Sequence, residues 1–283
     1  MSLFIRSLTV EDFDVADTIL TLAYNTKGSL RGELERFFSL QSDSCWLLVT
    51  LDDVSVGLGG VVDYGAYAYI GLVAIHPEAQ RLGLGGRLMA RLLYWLESRK
   101  CPIVLLEATE AGAPLYERLG FMDDGATLIF QQREQVRYPF PTQHVFPLCR
   151  TDLPELVAFD SPIFGAKREA VFAAYLDDFP ERAFITRDET GRITGYLFAQ
   201  FKSIGPWIAQ GSTEAEALLV LALSLSFQRT PDVILPAANT KAIQLLTSYG
   251  FNQRHSYRHM RRGGTSSPVS CTFLYGQASP AIG

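Results

Sequence analysis

The sequence predicts an α/β protein made of two successive copies of one fold, and three observations carry that expectation. Strand-forming runs alternate with helix-patterned segments along 283 residues, 48% of them apolar, which is enough to bury a sizeable core and excludes a disordered chain. A buried-strand composition, a glycine-rich loop and an amphipathic helix follow one another between Tyr67 and Leu96. The second half then repeats landmarks of the first. Asp12-Phe13 recurs as Asp152-Leu153, Val56-Gly57 as Thr194-Gly195, Ile70-Gly71 as Ile204-Gly205, Leu88 as Leu218 and Gly120-Phe121 as Gly250-Phe251. The separation of partners shrinks in order, from 140 (152 − 12) through 138 (194 − 56) and 134 (204 − 70) to 130 (250 − 120), as successive deletions would produce.

The elements follow in chain order. Thr9 is a candidate N-cap, with Glu11 and Asp12 in the first turn and Phe13, Ala16 and Leu20 on one helical face. Cys45–Thr50 and Val54–Val62 bracket Asp52-Asp53, the turn pair of a hairpin. Tyr67–Ile75 reads as a buried strand halted by His76-Pro77. Beyond the glycine loop, Leu88, Leu92, Trp95 and Leu96 form a helix face. Ile103–Ala108 is a further strand, and Ala113–Leu119 a short helix closed by Gly120. Periodicity lapses over 135–147, where Pro139, Pro141 and Pro147 accumulate. This divides the chain into a domain at 1–134, a linker at 135–147 and a domain at 148–283.

The loop Gln80-Arg81-Leu82-Gly83-Leu84-Gly85-Gly86 carries the chemistry. A strand, then glycines, then a helix start points free N–H groups and a positive dipole end at an anion, and glycine lets the backbone approach phosphate oxygens. Tight strand-to-helix packing would use the same glycines. A dinucleotide fingerprint does not fit, because its third glycine or alanine is missing. In the second copy the corresponding segment is shorter, 12 residues between Gly205 and Leu218 against 16 between Gly71 and Leu88. It reads Gln210-Gly211-Ser212-Thr213-Glu214-Ala215-Glu216, which sets negative charge where a phosphate would lie. One phosphate site per chain is expected, in the first domain.

The run Leu72–Leu88 resembles the central motif of the GNAT superfamily of N-acetyltransferases, Gln/Arg-x-x-Gly-x-Gly/Ala, and Ala113-Pro114-Leu115-Tyr116-Glu117-Arg118-Leu119-Gly120-Phe121 resembles its closing motif at about the usual distance. The resemblance covers roughly residues 3–132, and the second half is similar to the degenerate C-terminal domain of some tandem members. It implies two tandem GNAT folds, each a mixed, mostly antiparallel sheet flanked by helices, and acetyl-CoA as co-substrate. By resemblance, Val73, Ala74 and Ile75 meet the pantetheine arm, Arg81, Leu82, Gly83, Leu84, Gly85 and Gly86 hold the pyrophosphate, and Tyr116 protonates the leaving thiolate. A phenol can donate to a thiolate as charge develops there.

Thr109 stands where many members carry asparagine, so a cofactor contact there departs from the pattern. The second copy has Asn239 at that place but Leu246 in place of the tyrosine. An attacking amine must lose a proton, and Glu107 is the candidate base. Tyr67 and Tyr69 could line the acceptor pocket, and Asp160 could meet a cationic amine or pair with Arg168. The resulting expectation is direct acetyl transfer in a ternary complex to a primary amine of a small molecule or peptide. A non-catalytic acyl-CoA-binding sensor or regulatory protein is the alternative, against which Tyr116 argues. Transfer to a hydroxyl, or of a longer acyl group, also stays open.

A net charge of −5 and a pI near 5.5 favour no nucleic acid or anionic membrane partner. The first 20 residues carry Glu11, Asp12, Asp14 and Asp17 where a signal peptide would be apolar, and no apolar run is long enough to span a bilayer. Cys45, Cys101, Cys149 and Cys271 are scattered, without metal-ligand spacing, as expected of free thiols in the cytoplasm. No metal is expected, and the expected assembly is a monomer or homodimer.

Overall fold

A computed structural model describes residues 2–40, 44–134 and 145–283. The first half runs β1 (Leu3–Ser7), α1 (Phe13–Ala23), α2 (Arg31–Phe38), β2 (Ser44–Leu51), β3 (Val54–Asp63), β4 (Ala68–Ile75), α3 (Leu84–Ser98), β5 (Val104–Ala108), α4 (Ala113–Arg118) and β6 (Met122–Gln132). The second repeats the order as β7 (Val145–Pro147), α5 (Leu153–Phe164), α6 (Glu169–Asp178), β8 (Ala183–Arg187), β9 (Ile193–Ala199), β10 (Ser203–Ala209), α7 (Ser212–Ser224), β11 (Asp232–Pro236), α8 (Thr240–Ser248) and β12 (Phe251–Arg262), then adds β13 (Leu274–Gly276). Of the expected linker, residues 135–144 lie outside the described residues, and Val145–Pro147 forms a strand against β8.

The landmarks of the repeat fall at matching places for physical reasons. Asp12 accepts from the Thr9 N–H at 2.9 Å, and Asp152 accepts from the Cys149 N–H at 2.8 Å, so each first helix opens on the same reciprocal cap. Each capping carboxylate is also paired, Asp12 with Arg6 and Asp152 with Arg187. The hairpin between β2 and β3 turns on Asp52 and Asp53, both left-handed (φ 47° and 65°), the geometry a two-residue hairpin loop demands. On α3, Leu84, Leu88, Met89, Leu92, Leu93 and Leu96 are buried. Trp95 is only partly so and lies under the Arg99 guanidinium, 4.6 Å from the ring centre.

The halves are joined by strand exchange. The sheet order is β1-β2-β3-β4-β5-β12-β6-β11-β10-β9-β8-β7, with β13 paired to β10. Strand β12 of the second half lies between β5 and β6 of the first, and β6 in turn lies beside β11. Among the described residues only β4–β5 and β10–β11 are parallel, so each half is a mixed, mostly antiparallel sheet. Helix α3 covers one face of the first half and α7 and α8 cover the second, while α1, α2, α5 and α6 share one core. Across that shared core Arg36 of α2 reaches Asp178 at 2.6 Å and lies over the rings of Tyr175 and Phe179.

Candidate active site

Strands β4 and β5 pair over Ala68↔Val104, Tyr69↔Leu105 and Ile70↔Leu106, and there the ladder stops, although both continue. The cause is a bulge. Between Gly71 and Ala74 the register against β3 shifts by one residue, with Leu72 in the left-handed region at φ 52°. Such a residue costs of order 1–3 kcal/mol and persists because its surroundings hold it. Past the bulge β4 turns away from β5 and a notch opens. The carbonyls of Val73 and Ile75 face this open edge and are met only by side chains, the Tyr24 hydroxyl at 3.3 Å and the Gln80 amide at 3.1 Å. The Ala74 carbonyl lies instead toward Gly57 of β3.

The notch leads to the start of α3. Arg81 (φ 65°) and Gly83 (φ 76°) both take left-handed conformations, and Gly83 is the N-cap. The first-turn N–H groups of Leu84, Gly85 and Gly86 therefore face outward without intrahelical acceptors. Gly85 has a second role: a Cβ there would lie 3.3 Å from Leu115, so its absence also seats α4 against α3. Tyr116 of α4 is 9% exposed and has no hydrogen-bond partner for its hydroxyl among the described residues. Burial pushes its pKa up to about 12, so the phenol keeps its proton at neutral pH.

Alternation along β5 sends Leu106 and Ala108 toward α3, and Leu105 and Glu107 to the opposite face. The Glu107 side chain is 1% exposed. Its Oε1 receives Tyr69 OH at 2.8 Å, His259 Nδ1 at 2.9 Å and Gln277 Nε2 at 3.3 Å. Its Oε2 is buried with no partner among the described residues. Burial opposes charging of the His259 imidazole, but the hydrogen bond and charge of Glu107 outweigh it, and its pKa lies above the ordinary value. Tyr69, His259 and Gln277 all line a cavity of about 320 Å³ between the two halves.

The family model of the acetyltransferase (GNAT) family matches residues 8–121, and a model of the GNAT acetyltransferase domain matches residues 156–276. The chain belongs to the GNAT family as a tandem-domain acyltransferase. The GNAT chain is 28% identical over 229 residues to the "Uncharacterized N-acetyltransferase YitH" of Bacillus subtilis, covering 79% of each protein. A Pyrococcus horikoshii structure assigned as an acetyltransferase superposes with a TM-score of 0.87 at 27% identity, covering 99% of this chain and 96% of that one. A GCN5-related N-acetyltransferase of Sphaerobacter thermophilus shares the fold at a TM-score of 0.71 and 17% identity, with 94% and 98% covered. GNAT proteins generally take acetyl-CoA, and the fold implies an acyl-CoA donor and an amine acceptor.

In the second GNAT domain the equivalent notch is closed by the chain itself. Strands β10 and β11 pair over Ser203↔Asp232 and Ile204↔Val233 and then part, as β4 and β5 do. Strand β13 enters the gap, pairing with β10, and the next N–H, of Gln277, donates to Ile234 of β11 at 2.6 Å. Asn239 caps α8 through its carbonyl oxygen and donates its amide to Leu274 of β13 at 3.0 Å, so the asparagine of the family pattern holds this plug. The Glu214 carboxylate folds back over Gly211 at the start of α7, and Leu246 is fully buried where a tyrosine would stand.

Several expected site residues are arranged differently. Asp160 does not reach the cavity. It is 0% exposed, held by Arg168 at 2.9 and 3.0 Å and by Tyr196 OH at 2.6 Å, so it pairs internally rather than meeting an acceptor. Tyr67 is likewise fully buried and spends its hydroxyl on the Phe164 carbonyl at 2.8 Å. Ala74 cannot meet a ligand through its carbonyl, which faces β3. Thr109 receives the Gly112 N–H at 3.1 Å and so reproduces only the capping half of what Asn239 does. Tyr69 and Glu107 are brought together. His259 and Gln277 had no signal in the sequence, because strand exchange and the β13 plug bring them in from the other half.

Proposed function

We propose that the chain transfers acetyl from acetyl-CoA to a primary amine of a small molecule or peptide, at one site per chain, in the first domain. The proposal rests on the parting of β4 and β5, whose free edge runs from the α3 start past Tyr116 on one face and Glu107 on the other. The carbonyls of Val73 and Ile75, once released by Tyr24 and Gln80, offer the edge that a pantetheine arm can pair with. The amides of Leu82 through Gly86, with Arg81 and Arg87 nearby, suit the pyrophosphate.

In this reading the acceptor ammonium gives one proton to Glu107, and the freed amine attacks the thioester carbonyl carbon. Attack forms the C–N bond, and collapse of the tetrahedral adduct breaks the C–S bond. The departing sulfur takes a proton from Tyr116, the nitrogen gives its second proton back to the Tyr116 phenolate, and Glu107 passes the first to solvent, so the products are the acetamide, the free thiol and one proton. Tyr116 enters the step as the acid and not as the base that frees the amine, because its phenol carries its proton at neutral pH. Cysteine has no part in the transfer, which is direct in a ternary complex. A screen of amines for free-thiol release from acetyl-CoA tests the activity. Tyr116→Phe is expected to lower kcat about a hundredfold with coenzyme A binding intact, and unchanged turnover would remove the acid role.

A further inference from the structure

Gln277 lines the cavity and Glu107 lies directly behind it, in contact with Tyr69, His259 and Gln277, and the polar atoms of this pair define what kind of amine fits. Around Glu107, all three neighbours donate to Oε1 and none to Oε2. The Gln277 side chain is built the same way. Its Nε2 is used on Glu107, and its Oε1 is buried with no donor among the described residues. Two adjacent side chains therefore each keep one acceptor oxygen unmet, in a place where an unsatisfied polar atom is costly. What satisfies two neighbouring acceptors, one of them a carboxylate, is a group rich in N–H donors with a positive charge, and an alkylammonium has three.

Gln277 is fixed in place. Its N–H is bonded to Ile234, and its carbonyl passes so close to Gly205 (φ 145°) that a Cβ there would lie 2.1 Å away. The rest of the wall is chiefly apolar, with Phe164, Val269 and Leu274, and among the described residues no lysine or arginine lines it. Its further carboxylates are those of Asp124, paired with Arg261 at 2.9 Å, and of the last residue, Gly283, whose oxygen accepts from the Ala278 N–H at 2.9 Å and from Arg168 Nη1 at 3.5 Å. The one cationic group on the wall, the His259 imidazole, is already paired with Glu107 at 2.9 Å, so an acceptor carboxylate would find no unpaired cation among the described residues, and a second ammonium would find only anions already partnered.

We infer that the second domain completes the acceptor site, Gln277 Oε1 and Glu107 Oε2 together receiving the ammonium of a monoamine whose remaining body is apolar and uncharged. The inference rests on the acetyltransferase reading for what happens to the amine, but not for its binding. Gln277 is a positioning residue, and His259 and Tyr69 hold the carboxylate so that Oε2 stays free.

The test uses the full chain and three probes of different charge: 2-phenylethylamine, phenylalanine and spermidine. Calorimetric titration should show 2-phenylethylamine binding and Gln277→Met weakening it about tenfold or more, with phenylalanine and spermidine binding far more weakly to both. Coenzyme A affinity and melting temperature, unchanged in Gln277→Met, separate a lost contact from a lost fold; with transfer running, KM for the amine rises and kcat changes little. Equal binding of the three probes, or an affinity indifferent to residue 277, overturns the inference, even if thiol release shows that transfer stands. Binding that depends on Gln277 without thiol release upholds the inference and overturns the transfer reading.

Discussion

At the residue scale the site is a contrast between groups that are satisfied and groups that are not. Asp160 and Glu107 are both buried carboxylates, yet Arg168 takes both oxygens of the first while the second keeps one oxygen unmet. Removing Asp160 would leave Arg168 buried and unpaired, a cost of about 3–5 kcal/mol, which is why a carboxylate there serves the fold. His259 makes a pH-dependent contribution. Its folded pKa is raised above 6.5 by Glu107, so the stability it adds is fully present below the unfolded value and is lost as pH rises through the folded one. Melting temperatures of the wild type and His259→Gln should therefore differ most below pH 6.5 and converge above it. A difference that does not change with pH would mean that Glu107 does not hold the imidazole charged.

At the element scale one device is used twice. In each half a parallel pair of strands separates after an Ile-Gly step, at Gly71 and at Gly205, and in each the glycine lets the C-terminal segment pass close by. In the first notch the edge of β4 meets only the Tyr24 and Gln80 side chains, and in the second β13 fills it. A Cβ on Gly71 would lie 2.3 Å from that of Ala281, so Gly71→Ala must displace the tail that backs the acceptor cavity. The expected loss is about 1–3 kcal/mol in denaturant unfolding, with KM for the amine raised and coenzyme A affinity retained. Unchanged amine KM would separate the tail from the acceptor site.

At the scale of the whole molecule, the local part of the fold was legible and the long-range part was not. Caps at Thr9, the Asp52-Asp53 turn, the glycine loop and the repeat are written in neighbouring residues, so each could be read before the structure. The exchange of β6 and β12 is not, since either strand satisfies the same alternation in either sheet, and the pairing is seen only in the folded chain, where Met260 of β12 packs in the core under α3 and Phe130 of β6 in the core under α7 and α8. For the same reason Tyr116 and Glu107 were legible, from a motif and from a strand, while His259 and Gln277 were not. The exchange also bears on the boundary expected at residue 134. A fragment of residues 1–134 would leave β5 and β6 without β12 between them, and two exposed strand edges invite association. Gel filtration of that fragment should show aggregation or an unfolded chain, and a compact monomer that binds coenzyme A would mean that the first domain is self-sufficient.

The most direct measurement is the initial rate of thiol release from acetyl-CoA, with a saturating amine, for the wild type and Glu107→Gln. An amide at residue 107 keeps the shape but cannot take the proton, so kcat should fall about a hundredfold or more while coenzyme A binds as before. An unchanged kcat would contradict the assignment of Glu107 as base and move the reaction to another part of the molecule.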